Sequence, residues 1–178
     1  MPKLKSLVLT KSAIFAAILC IISPFSIMIG PIPVTFSLFV LIFSALMLSK
    51  KEAFYAVLVY LFLGFCGLPV FSGAVGGIGA LIGPTGGFLI SYPLIVYVAG
   101  MKPRIIKNEF LKSFFPSVAA LVCCYFFGSL WYMFVAKVPF VSAVSVCVAP
   151  FAVFDIIKIF AACLLSKSVN KRFTFINM

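Results

Sequence analysis

A chain of 178 residues that is 65% hydrophobic, 10% charged and carries a net charge of +11 is far more apolar than a soluble domain, which is about 45–50% apolar and about 25% charged. Most of its surface must therefore face lipid. A separate soluble catalytic lobe is excluded, because six spans of roughly 20 residues each leave only short loops and tails.

Pro and Gly punctuate the apolar runs and charges bracket them. They predict membrane-spanning helices over 12–29, with a kink at Pro24, and over 34–48, with a turn at Gly30-Pro31-Ile32-Pro33 between the two. Further helices are predicted from after Glu52 to 66 and over 82–99, 114–135 and 141–165. The fold class expected is an all-α integral membrane protein, one six-transmembrane-helix bundle over residues 1–178.

Twelve of the fourteen cations fall on one side of these spans: Lys3, Lys5 and Lys11; Lys50 and Lys51; Lys102, Arg104, Lys107 and Lys112; Lys167, Lys171 and Arg172. Lys137 stands alone on the other side, and Lys158 lies within the last span. Cytoplasmic loops carry the Lys/Arg excess, so both termini are expected in the cytoplasm. The same placement accounts for the net charge without nucleic acid, since no soluble fold presents the basic clusters. Cys20, Cys66, Cys123, Cys124, Cys147 and Cys163 all sit in apolar runs, and there is no His. Neither a metal nor a cofactor is expected. Trp131 and Tyr132 suit an aromatic belt at the outer interface or a stacking role against a ligand.

Two regions break the apolar helical pattern. The segment from 64 to 87, GFCGLPVFSGAVGGIGALIGPTGG, holds nine of the twelve glycines, carries no charge and lies on the outer side. Irregular backbone at membrane depth is tolerated only where it is buried in protein or lines a cavity, and Gly/Pro-interrupted segments mark transporter binding sites. The segment reads as a lid and wall for a substrate, or as a hairpin loop packed for stability. It is no phosphate-binding loop, because no Lys follows its glycines.

The second region is Asp155 and Lys158 within PFAVFDIIKIF. At i and i+3 they share a helix face and are able to pair. Ionisable groups deep in a membrane face a bundle interior or a watery cavity. The pair forms a polar floor beneath the glycine segment, or Lys158 snorkels toward the cytoplasm with Asp155 as its partner.

These residues resemble the biotin-specific substrate-binding subunits, the BioY family, of energy-coupling-factor vitamin transporters. The likeness rests on Gly67-Leu68-Pro69-Val70-Phe71 followed by Gly76-Gly77 and Gly83-Pro84-Thr85-Gly86-Gly87-Phe88, on Asp155-x-x-Lys158, and on Ala13-x-x-x-Ala17 in helix one. Phe88 stands where the family often has Tyr, and Phe154 where Gly often precedes the Asp. The resemblance implies high-affinity capture of biotin, with substrate contacts from Asp155, Lys158, Gly76, Gly77, Thr85, Gly86, Gly87 and Phe88. It implies no cofactor in this chain and a place in a bacterial inner membrane. The partners implied are an energy-coupling transmembrane subunit, which Ala13 and Ala17 would dock, and two cytoplasmic ATPase subunits that use the ATP. An ionised Asp155 suits ureido N–H donors, Lys158 suits the ureido carbonyl or the tail carboxylate, and the Gly86–Gly87 backbone also suits a carboxylate. Which end of biotin meets which residue stays open at this point. The rival readings are a substrate-binding subunit for another vitamin and, further off, a membrane scaffold or channel. An enzyme would need paired acids or a His that the spans lack.

Overall fold

The computed structural model describes residues 2–28, 32–103 and 105–176, with side chains for 7–27, 32–103 and 105–171. The expected turn at Gly30-Pro31, Arg104 and the side chains of Lys3, Lys5 and Arg172 lie outside these.

Helix α1 (Pro2–Ile22) stops seven residues short of the expected end of its span. Pro24 has no N–H to continue the ladder. Ser23 and Phe25 instead close the helix by donating to the carbonyls of Leu19 and Ile22. The fold is mostly helical as expected, but here the chain leaves helix, and Ser26–Met28 (β1) and Pro33–Thr35 (β2) pair as a short antiparallel ribbon that the expected spans did not include. The three residues expected to open the second span belong to β2 and its exit. Helix α2 itself runs Ser37–Met47, and most of its side chains are buried.

Ser49 caps α3 (Lys50–Phe65) through a capping box. Its side chain accepts the Glu52 N–H, and Glu52 Oε2 accepts from the Ser49 N–H at 2.8 Å. The glycine segment follows, containing one short helix, α4 (Ile78–Ile82). Helix α5 (Gly86–Ala99) begins four residues later than expected. Helix α6 (Glu109–Ala136) starts at an Asn108 cap whose side chain accepts the Phe110 N–H.

The last expected span is two helices, α7 (Phe140–Val148) and α8 (Ala152–Ile176). They meet at a 50° bend. Pro150 sits in that break, where its missing N–H ends the first helix.

Helix α2 packs against α1, α3, α5 and α8, and α6 packs against α5, α7 and α8. Leu41, Ile42, Val57, Ile95 and Ile159 fill the centre with almost no exposure. The outward faces carry Phe62, Ile90, Val122, Phe134 and Ile157, each more than half exposed. Among the described residues, α6 is long and apolar enough to cross a membrane alone, and α7 with α8 passes as a bent pair. Helices α2 and α5 are apolar but shorter.

Candidate ligand-binding site

A cavity of about 760 Å³, its mouth included, opens where the ribbon, the glycine segment and the α7–α8 bend converge. Each wall has a local cause. The ribbon brings Val34 and Thr35 over the start of α2, and the bend brings Phe151 and Asp155 inward.

The glycine segment supplies Phe71, Ser72, Val75 and Thr85. It is tied down by its own backbone. Phe71 N–H donates to Val75 O at 2.9 Å, Gly73 N–H to Pro24 O at 3.1 Å, and Gly77 N–H to Gly64 O at 2.7 Å. Gly77 has φ +86°, a left-handed conformation that favours glycine. The segment is thus both packed against the bundle and a wall of the cavity.

Asp155 is the acid of the site. Its residue is 8% exposed and lines the cavity. Lys158 Nζ donates to Asp155 Oδ1 at 2.8 Å, and the Tyr125 hydroxyl donates to Oδ2 at 2.7 Å. A carboxylate accepts at about four lone-pair sites, so two remain for donors from the cavity. Lys158 Nζ also donates to Thr35 O at 2.8 Å, which takes the ammonium toward the ribbon and away from the lysine-rich end. The snorkelling alternative is therefore not adopted.

Of the eight candidate contacts, Asp155, Thr85 and Phe88 line the cavity. Lys158 stands behind Asp155, reaching the site through that carboxylate and through Thr35. Gly76, Gly77, Gly86 and Gly87 are not among the lining residues. A Cβ at Gly76 would strike the Leu68 carbonyl, and one at Gly86 the Leu81 carbonyl. At Gly87 it would meet the Trp131 side chain and, at 2.8 Å, Phe127 O. These glycines permit close packing. The Gly86 N–H already donates to Gly83 O at 3.0 Å, so it is not free to hold a carboxylate.

Trp131 does not line this cavity. Its indole N–H donates to Gly83 O at 3.0 Å and fastens the glycine segment to α6. Phe154 is half exposed on the outside, so it does not shape the cavity.

Sequence reasoning missed the tyrosines. Tyr60, Tyr92 and Tyr125 all line the cavity, with Tyr60 stacked on Tyr92 at 6.3 Å and edge-on to Phe71 at 5.5 Å. The available signal was a phenol inside an otherwise apolar run, since a buried Tyr hydroxyl needs a partner.

A mostly helical bundle with an apolar outside and a cavity whose buried carboxylate is held by an ammonium and a phenol has the architecture of a binder of a small polar solute. The chain belongs to the BioY family, whose sequence pattern matches residues 1–175. It is 36% identical over 150 residues to the biotin transporter BioY2 of Lactococcus lactis subsp. cremoris, covering 84% of this chain and 82% of that one. It is 36% identical over 163 residues to the biotin transporter BioY of Thermotoga maritima, covering 92% and 95%. In fold it is similar to the crystal structure of an S-component for biotin from an ECF-type ABC transporter. The TM-score is 0.87, at 24% identity and covering 96% of this chain and 94% of that one.

Proposed function

We infer that this chain is the membrane subunit that captures biotin for uptake, as its relatives named biotin transporters do. The observation that carries the reading is the Asp155 carboxylate, fixed by Tyr125 and Lys158 on the wall of a cavity otherwise largely apolar. An acceptor-only group held there suits the ureido N–H donors of biotin. Phe88, Leu38 and Phe151 offer apolar wall to the thiophane ring and the methylenes.

The chain binds and carries but does no chemistry on the vitamin. It works with an energy-coupling transmembrane subunit and two cytoplasmic ATPase subunits, and the ATP is theirs. No cofactor belongs to this chain.

It crosses a bacterial inner membrane six times, with both termini cytoplasmic. The crossings are α1, α2, α3, α5, α6 and the bent α7–α8 pair, and the ribbon and glycine segment lie outside. The charge asymmetry supports this orientation. Ala13 and Ala17 are both exposed on α1, whereas Ser12, Ala16 and Leu19 are buried. Small residues one turn apart admit another helix closely, which suits docking of the energy-coupling subunit.

Equilibrium binding of labelled biotin to the purified chain in detergent, competed with a panel of other vitamins, tests the reading. Saturable binding displaced by biotin alone is expected. Tighter binding of another vitamin would move the cargo within the class. Binding of none would leave the scaffold or channel reading.

A further inference from the structure

A groove of about 620 Å³, its mouth included, runs along the outside of the bundle between α5 and α6, apart from the cavity of Asp155. Ile90 and Leu94 line one side of it, and Phe127, Trp131 and Phe134 the other. From Gly87 to Leu94 it follows α5 for about 10 Å at a rise of about 1.5 Å per residue. That fits within roughly 15 Å, half of a bilayer's hydrocarbon thickness. Its polar side chains are already satisfied. The Ser91 hydroxyl donates to Phe88 O at 2.7 Å, and the Trp131 indole N–H to Gly83 O at 3.0 Å. With neither waiting for a partner, the groove suits hydrocarbon better than a polar solute.

Lys137 ends α6 three residues after Phe134, about one turn on, which brings it over the outer end of the groove. It is exposed and among the described residues has no ion-pair partner. Its backbone has φ +54°, a left-handed conformation that glycine usually takes at a helix end. A lysine is held there against that preference. Helix α1, with Ala13 and Ala17, packs on α2 and α3, whereas α6 packs on α5, α7 and α8. The groove and the assigned docking face are therefore built on different helices.

Resting on the six-crossing orientation above, we propose that the α5–α6 groove seats an acyl chain of an outer-leaflet phospholipid, with the phosphate against the Lys137 ammonium. Charge decides for this occupant. The chain's three acids are Glu52, Glu109 and Asp155. None is exposed on the outer side, so a second copy offers Lys137 no counter-charge, whereas a phosphate does. The seat also bears on the glycine segment, because Trp131 forms both a wall of the groove and the tie to Gly83.

Trp131 is the single tryptophan of the chain, so its fluorescence reports on the groove. The test titrates the purified chain in detergent with phosphatidylglycerol carrying brominated acyl chains, since bromine quenches indole only at close range. Saturable quenching is expected. Brominated diacylglycerol, which has the chains but no phosphate, should need about five-fold more, the worth of one lysine at a lipid surface. Free glycerol phosphate should displace nothing. Lys137→Gln should remove the difference between the two lipids. Ile90→Phe, which fills the groove from an exposed position, should weaken both. Quenching that never saturates, or that Ile90→Phe leaves unchanged, overturns the seat. Equal binding of the two lipids by the wild-type chain overturns the role of Lys137, a result that needs no variant to fold. A two-copy mass by light scattering, with quenching lost as the copies pair, gives the groove to a second copy and overturns the proposal. Labelling of a cysteine at position 51 from outside overturns the orientation, and with it the leaflet, whatever the titration shows.

Discussion

The hydroxyl of Tyr125 on α6 donates to Asp155 Oδ2 on α8 at 2.7 Å, across thirty residues of chain. With Lys158 on the other oxygen, the carboxylate is fixed from two helices before any ligand arrives. Tyr125→Phe should release one oxygen and lower biotin affinity about five- to tenfold, less than the full value of a bond to a charged group because the lost bond positions the carboxylate and is not made to the ligand. Titration alongside a thermal melt checks this. A melting temperature that falls while affinity holds would make Tyr125 a structural strut only.

Asp155→Asn keeps shape and one acceptor but removes the charge. Loss of a charge-assisted bond should weaken biotin by about 1.5–3 kcal/mol. It also leaves the Lys158 ammonium, whose side chain is 11% exposed, without its counter-charge, with only the Thr35 carbonyl and an amide oxygen to accept from it. An unpaired buried charge is costly, so adding Lys158→Met should recover thermal stability without recovering affinity. Full affinity in a folded Asp155→Asn chain would refute the role given to the acid.

Gly87→Ala places a methyl against Trp131 and Phe127 O. Overpacking of this kind costs about 1–3 kcal/mol. Trp131→Phe, which loses the bond to Gly83 O and part of the ring volume, should cost about 1 kcal/mol for the bond. Unfolding of the two variants in detergent should rank them in that order, and the reverse order would mean the latch matters more than the fit.

Replacing Ala13 and Ala17 together with Leu should abolish biotin uptake by cells yet leave binding by the isolated chain within a few-fold. Both positions are exposed, so the change leaves the core untouched. Lost binding with intact assembly would put the docking face elsewhere.

Gly79 has open space around an added Cβ, and Lys51 is exposed at the start of α3. In a cysteine-free background, Gly79→Cys should react with an impermeant thiol reagent on intact cells, and Lys51→Cys should react only after lysis. Labelling of position 51 from outside would invert the topology.

Composition and charge determined by themselves that this chain is helical and apolar on its outside, because a property spread over many residues survives errors at any one. They also made the Asp155–Lys158 pairing legible, since a spacing of three fixes a shared helix face. Helix ends were less legible. Pro24 and Pro150 were visible, but whether a proline kinks a helix or ends it depends on what the freed chain can pair with. Here one exit forms the β1–β2 ribbon and the other the α7–α8 bend.

The cavity was decided by tertiary structure alone. Tyr60, Tyr92 and Tyr125 come from three helices, and nothing local to any of them shows that their rings share a wall. The glycines needed the fold as well: a missing side chain at Gly86 or Gly87 signals close approach, and only the fold shows that Leu81 and Trp131 are among what approaches.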